Sequence, residues 1–329
     1  MAWRVLVTAR EFASTVAARE LLEQGGCELV RTSYGSAVGD YDVGEEDLIE
    51  LLRGVDAFIV GSARVTRRVF ERAPQLRIVA RRGVGYERID LAAARDHGVM
   101  VTITTGSNSE AVADHVFGLL LAAARRVIEG HRGISEGRFK AETGPELGGK
   151  TFGIVGLGRV GKGVARRARG FAMRVVASDP VRDDPFAEEH AVTYVPLARL
   201  LAEADIVSLN ASLNATTVHL IDRAALAAMK PGVILVNTAR GEIVEEAALA
   251  DALRCGHVRA AGIDVFASEP PVDSPLIGAP NTVLTPHMAA YSDEATARGN
   301  LQAARTVIDY LRGIDPRPED VVSAAGPPA

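Results

Sequence analysis

Gly156-Leu157-Gly158-Arg159-Val160-Gly161 has the glycine spacing that cradles a pyrophosphate, and it follows the apolar run Phe152-Gly153-Ile154-Val155. In such a turn the first glycine permits the tight bend, the second lets backbone approach the phosphates, and the third lets helix and strand pack closely. The amides of Arg159 and Val160, at the start of the helix that follows, would face the pyrophosphate with the positive end of the helix dipole. The next β-rich run, Arg174–Ser178, ends in Asp179, which lies 18 residues beyond Gly161. That is near the ~20 expected for a carboxylate accepting adenosine ribose hydroxyls. A carboxylate there repels a 2′-phosphate, so the reading favours NAD over NADP, with the nearby Arg182 softening the preference. The plainer alternative is a packing turn that binds nothing.

Three further polar clusters stand at the ends of apolar runs, where hydrophobic periodicity does not require them. They are Asn237-Thr238-Ala239-Arg240-Gly241, Asp264-Val265-Phe266-Ala267-Ser268-Glu269-Pro270-Pro271 and Thr285-Pro286-His287. In open α/β sheets ligands bind outside the carboxyl ends of the strands, so these tips can converge. Taken singly, Arg240 reads equally as a solvated loop cation, Glu269 as a surface charge, and His287 as a hydrogen-bonded structural histidine. His97, His115, His131, His190, His219 and His257 have no comparable setting and read as structural.

The elements that must hold these residues alternate. Strand-like runs at Val5–Val7, Glu28–Val30, Asp56–Val60, Arg77–Ala80 and Met100–Ile103 are separated by helical spacing at Ser14–Gln24, Glu45–Arg53, Thr66–Arg72 and Asp90–Asp96. Several of these helices stop at glycine, which favours helix ends. Such alternation predicts a parallel sheet covered on both faces. Ser107 and Glu110 have capping-box spacing, and the helix they open, Glu110 to about Glu129, is apolar on nearly every side. That marks it as buried, at a domain junction or a subunit interface. Residues 130–149 read as irregular. Alternation then resumes, with strands at Thr151–Val155, Arg174–Ser178, Ile206–Leu209, Val233–Asn237, Ala261–Val265 and Thr282–Leu284. A last helix, Ser292–Arg312, precedes a Pro-rich tail ending Gly326-Pro327-Pro328-Ala329.

Composition narrows the function classes. The 329 residues, 47% hydrophobic and 24% charged, suit about two domains of ~150 residues each. A net charge of −5 argues against a main role in binding nucleic acid or anionic membrane. The longest apolar run, Val116–Ala124, is far short of the ~20 residues of a spanning helix. The alternating start, Met1–Val7, lacks a signal-peptide pattern. The two cysteines, Cys27 and Cys255, lack metal-ligand spacing, and the expectation is a metal-free, cytoplasmic protein with reduced thiols. Seven arginines between Arg64 and Arg82 face one acid, Glu71; with only Phe70 interleaved, they read mainly as a solvated helix face.

Arg82-Gly83-Val84-Gly85 with Ile89-Asp90, the helix start at Asn108-Ser109, the Gly156–Gly161 turn, Asn237–Gly241, Asp264–Pro270 and Thr285-Pro286-His287 occur in one order. Together they resemble the D-isomer-specific 2-hydroxyacid dehydrogenases, in the phosphoglycerate-dehydrogenase-like branch. The resemblance spans about Val55 to Arg312. It implies two Rossmann-like, doubly wound parallel-sheet domains, with a cofactor domain (residues 105–291) inserted into a flavodoxin-like substrate domain (residues 1–104 and 292–329). It implies hydride transfer between a 2-hydroxy acid and NAD. His287 would exchange the hydroxyl proton, as an ordinary imidazole of pKa ~6.5 does readily. Glu269 would orient it, and Arg240 would hold carboxylate and carbonyl oxygens bidentately. Ser62 and the amides of Val84 and Gly85 would complete the substrate contacts. Asp264 would hold the nicotinamide carboxamide, Thr238 and Ala239 would line its pocket, and the helix from Glu110 would join a homodimer.

The sequence departs from that pattern in places. Gly61 stands where phosphoglycerate dehydrogenases commonly carry a phosphate-binding arginine, a role that Arg64 would have to fill. Asn210-Ala211-Ser212 replaces a His-x-Pro turn, and Ala289 replaces a glycine. The chain ends soon after Arg312, so the serine-sensing domain of some phosphoglycerate dehydrogenases is not expected. These departures leave the acid open. Two other readings share the fold: a phosphite- or phosphonate-type dehydrogenase, and an NAD-sensing, corepressor-like binding protein.

Overall fold

Alternation of β-branched runs with short helices governs both halves of the chain, and the order in which the strands pair decides where ligands can enter. The computed structural model describes residues 2–30, 32, 34 and 40–324, so the ending Gly326–Ala329 lies outside the described residues. These fall into two compact units, one from the described parts of Met1–Asn108 and Tyr291–Ala329, the other Ser109–Ala290.

In the first unit, β1 (Trp3–Val7), β2 (Cys27–Val30), β3 (Ala57–Val60), β4 (Ile78–Arg81) and β5 (Met100–Ile103) pair in parallel in the order 2-1-3-4-5. This is the flavodoxin-like arrangement. Period-two alternation sends Phe58 and Val60 of β3 into one core layer with Leu48, Leu52 and Phe70, and Ala57 and Ile59 into the other with Leu22 and Val307. Both faces are thus buried, as a parallel sheet requires. Thr66 and Asp90 cap two of the covering helices, accepting from the amides of Val69 and Ala93 at 3.4 and 2.8 Å.

The second unit holds β6 (Thr151–Val155), β7 (Arg174–Ser178), β8 (Val192–Tyr194), β9 (Ile206–Leu209), β10 (Val233–Asn237), β11 (Val258–Ile263) and β12 (Thr282–Leu284). All are parallel, in the order β12-β11-β10-β9-β6-β7-β8. Counted from β6 this is the Rossmann order, extended by one strand, with its topological switch between β6 and β9. Phe152 and Ile154 join a layer with Leu120 and Met173, while Val155 packs with Leu200, Leu235 and Leu249 opposite.

Several local expectations are corrected. The single helix expected from Glu110 to Glu129 is two, Ser109–Ala124 and Val127–Ser135, broken where Arg126 adopts a left-handed φ of 56°. No Gly or Pro marks that break, and the second helix occupies part of the stretch read as irregular. The capping box does not form. The Ser107 hydroxyl donates to the Thr104 carbonyl at 2.8 Å, and Glu110 pairs with Arg166 and Arg167. β8 and a final strand, β13 (Val321–Ser323), each three residues long, are not among the strands expected from the sequence. β13 runs antiparallel to β5 and closes that edge of the first sheet. β11 ends at Ile263, one residue before Asp264, which therefore starts a loop.

Candidate active site

β6 delivers the glycine turn to the switch point. Gly156 has φ 93°, and a Cβ on it would sit 2.7 Å from the Ala211 nitrogen just beyond β9. A Cβ on Gly161 would lie 2.1 Å from the Gly156 carbonyl oxygen. Gly158 is different: nothing lies within 4 Å of the Cβ it lacks. The protein's own packing demands the outer two glycines, whereas the middle one keeps open space above the turn. The helix it opens, Arg159–Gly170, has no side-chain cap, so the amides of Arg159, Val160 and Gly161 lack acceptors on the helix. The Asp179 carboxylate accepts from the Leu157 amide at 2.7 Å and the Val181 amide at 2.8 Å, tying the turn to the end of β7. Arg182 pairs with Asp184 at 2.7 Å and stacks 4.6 Å from the Tyr194 ring centre.

Beyond β10, the buried Asn237 shapes the next tip. Its Oδ1 accepts from the Ala239 amide at 3.0 Å and its Nδ2 donates to the Arg240 carbonyl at 2.9 Å. Arg240 donates to the Ala239 carbonyl at 2.7 Å. A Cβ on Gly241 would fall 1.9 Å from the Phe266 carbonyl carbon, so glycine there lets the loop carrying Arg240 touch the loop carrying Glu269. Thr238 Oγ1 is buried with no hydrogen-bond partner among the described residues. That orphaned hydroxyl, the open space at Gly158 and the uncapped helix start together suit a dinucleotide with phosphate and amide groups.

The third tip brings His287 to Glu269. His287 has φ 50°, and its Nδ1 meets Glu269 Oε2 at 2.8 Å, while Glu269 Oε1 accepts from the Phe266 amide at 3.2 Å. Burial pushes the Glu269 carboxyl up. The hydrogen bond and positive charge of His287, with the Phe266 amide, outweigh it and hold the carboxyl below its usual range. The His287 side chain is 50% exposed, and its Nε2 has no partner among the described residues.

Asp264 lies under the His287 loop. It is 0% exposed, and its carboxylate accepts from Thr285 Oγ1 at 2.6 Å and from the amides of Met288 and Ala289 at 2.9 Å each. Burial raises this carboxyl too, but those bonds and His115 hold it low. Its oxygens tie down the His287 loop from beneath. The residue acts as a clasp.

In the other unit, Ser62 follows β3, and Val84 and Gly85 follow β4. Asp40, 2% exposed, accepts from the amides of Gly61 at 2.8 Å and Ser62 at 2.5 Å and from the Thr8 hydroxyl at 2.5 Å. A Cβ on Gly61 would sit 2.6 Å from Asp40 Oδ1, so Asp40 occupies the space a side chain at 61 would need. Arg81 donates to the carbonyls of Arg82 and, at 2.9 Å, Gly85. Gly83 has φ 136°, and its amide donates to Thr104 Oγ1 at 2.8 Å. The arginine-rich run therefore divides. Arg67 and Arg68 are exposed and salt-bridged on a helix, while Arg81 is enclosed and shapes a loop.

Sequence reasoning gave no part in the site to Arg81, read as solvated, to His115, read as structural, or to Asp40 and Gly241. Only Gly241 carried a signal, its place in the Asn237–Gly241 motif. Among the described residues no cluster could hold a metal ion, and no helix is long and apolar enough to cross a membrane.

Comparison with known proteins follows the same lines. The family model described as D-isomer specific 2-hydroxyacid dehydrogenase, NAD binding domain, matches residues 117–289. The chain is 44% identical over 274 residues to a glyoxylate reductase of Korarchaeum cryptofilum, covering 81% of this chain and 82% of that one. It is also 44% identical over 271 residues to a D-3-phosphoglycerate dehydrogenase of Mycobacterium bovis, covering 82% of this chain but only 51% of that longer protein. The crystal structure of the TT0316 protein from Thermus thermophilus superposes with a TM-score of 0.85 at 36% identity, over 97% of this chain and 99% of that one. Family model, relatives and both strand orders agree: this chain belongs to the D-isomer-specific 2-hydroxyacid dehydrogenases, NAD-dependent oxidoreductases that act on the CH–OH group of 2-hydroxy acids.

Proposed function

We propose that His287 is the proton-transferring residue of this dehydrogenase and that Glu269 and Arg240 complete its catalytic set. The observation that carries the reading is the His287–Glu269 pair at 2.8 Å with Nε2 left open on a half-exposed ring. Bound NAD supplies the hydride acceptor, or NADH the donor. In oxidation, Nε2 takes the substrate hydroxyl proton, and the ionised Glu269 favours the imidazolium so formed. In reduction the same nitrogen returns the proton to the carbonyl oxygen. Arg240, on a loop set by Asn237 and Gly241, grips the carboxylate through its planar fork. Gly156, Gly158, Arg159, Val160 and Gly161 receive the pyrophosphate, Asp179 the ribose, and Thr238 and Ala239 the nicotinamide. Ser62 and the amides of Val84 and Gly85 serve the substrate carboxylate.

A short 2-keto acid such as glyoxylate is the proposed substrate, since Asp40 takes the space of a phosphate-binding side chain at Gly61. His287→Ala is expected to lower kcat for glyoxylate reduction about 10²–10⁴-fold at unchanged NADH affinity. Wild-type turnover in that variant overturns the assignment. NADH binding without turnover of any 2-keto acid supports the corepressor-like reading instead.

We also propose a homodimer and a cytoplasmic location. The Glu110 end of the first long helix is packed in its own unit, so the apolar contact falls on the next segment, where Val127, Ile134 and Phe139 are 53%, 60% and 98% exposed. Phe139→Glu is expected to shift sedimentation towards the monomer. Free thiols at Cys27 and Cys255 fit a reducing compartment.

A further inference from the structure

A histidine outside the catalytic set lies against the loop that carries His287. His115 sits on the Ser109–Ala124 helix with its side chain 20% exposed. Its Nε2 is 3.0 Å from Thr285 Oγ1 and 3.4 Å from Asp264 Oδ1. The Thr285 hydroxyl donates its one proton to Asp264 Oδ1, at 2.6 Å. It can therefore only accept from His115, which fixes the proton on Nε2.

The chain of bonds continues on both sides of His287. Asp264 accepts from the amides of Met288 and Ala289, and the Asp264 carbonyl accepts from the His287 amide at 2.8 Å. Residues 285, 287, 288 and 289 thus all hang on one fully buried aspartate. Between them His287 adopts φ 50°, a left-handed conformation that an L-residue keeps only where its surroundings over-determine it. His115 is the part of this arrangement supplied by a different element, a helix anchored in the core by Val116, Phe117 and Leu120.

We propose that His115 is a positioning residue: through Thr285 and Asp264 its Nε2 proton holds the left-handed turn at His287, so that Nδ1 stays on Glu269 and Nε2 faces the substrate. This rests on the reading of His287 as the proton-transferring group, and the test separates the two. The rival role for His115 is packing alone.

Three variants are compared in one assay with NADH and glyoxylate, and NADH affinity is read separately by fluorescence. His115→Leu keeps bulk but removes the donor. It is expected to lower kcat about 10–100-fold, the scale of a small misplacement of a reacting group, with Kd for NADH within about twofold of wild type. His115→Gln, whose amide nitrogen reaches a similar point, is expected to recover most of that loss. Thr285→Val interrupts the same path without touching the helix, so it serves if His115→Leu fails to fold; combined with His115→Gln it should abolish the rescue. In a His287→Ala background, His115→Leu should cost nothing further. Wild-type kcat in His115→Leu, failure of His115→Gln to recover, or equal losses of NADH affinity and kcat each overturn the proposal. Retained turnover in His287→Ala alone instead overturns the parent reading.

Discussion

Two glycine-bearing turns, one in each unit, expose backbone amides at the carboxyl end of a strand, and they are held open by opposite means. In the Gly156–Gly161 turn the means is an acceptor: the Asp179 carboxylate takes the Leu157 amide, and the outer glycines let backbone close on backbone. In the Gly83–Gly85 loop it is a donor: Arg81 engages the carbonyls of Arg82 and Gly85, and the amides of Val84 and Gly85 are the ones proposed above to meet the substrate. The lesson is that an anion-binding loop can be built by emptying it of side chains or by tying its carbonyls to an enclosed cation. Only the first way leaves a spacing pattern in the sequence.

The sharpest way to break the comparison lies within the first turn. Gly161→Ala places a Cβ 2.1 Å from the Gly156 carbonyl oxygen, and the expected result is loss of folded protein or a large fall in Tm. Gly158→Ala meets nothing within 4 Å, so it should keep Tm and lower NADH affinity about tenfold or more. Equal behaviour of the two variants in melting and NADH titration would remove the distinction between packing and ligand glycines.

Arg81 comes next. Burial pushes its guanidinium down to about 10, so it remains protonated at neutral pH. Arg81→Lys keeps the charge but loses the fork, leaving carbonyls unpaired at a cost of about 1–3 kcal/mol. We expect KM for the keto acid to rise about tenfold with kcat little changed; an unaltered KM would show that the loop does not need its cation.

The carboxylates give the pH test. Glu269 and Asp264 both titrate below the usual carboxylate range. A depressed folded-state value means that the stabilisation is present above the ordinary value of ~4.3 for Glu and ~3.9 for Asp, and is lost as pH falls through the lower folded values. The loop is therefore expected to hold its near-UV circular dichroism down to the ordinary carboxylate range and to lose it below. In Glu269→Gln the amide no longer supplies a charged partner to Nδ1, so kcat for keto-acid reduction at neutral pH should fall about tenfold or more.

The smallest expected effect is at Asp179. Asp179→Ala should narrow the NAD-over-NADP preference several-fold, since Arg182 is occupied by Asp184 and Tyr194 and does not reach over at full strength. An unchanged ratio counts against the ribose assignment.

These contrasts also explain what could be read in advance. Strands β1 to β7 and β9 to β12, both sheet types and the Arg240, Glu269 and His287 loops were legible because apolar periodicity and glycine spacing are local. The rest depends on partners remote in sequence. His115 meets Thr285 across 170 positions, and Asp40 meets Gly61 across 21 with no pattern between them. The break at Arg126 and the idle capping box at Ser107 failed for the converse reason: a local signal was overruled by tertiary contacts, in the second case by arginines of the Arg159–Gly170 helix.

β13 carries one last consequence. Its pairing with β5, and the Asp320 carboxylate that accepts from the Thr105 amide at 3.1 Å, join the end of the described chain to residues made more than two hundred positions earlier. The first sheet therefore stays one strand short on the ribosome until Val321–Ser323 has emerged, whereas the contiguous Ser109–Ala290 unit has all its strands before then. The nascent enzyme thus acquires its nucleotide-binding unit while the sheet made before it still waits for β13.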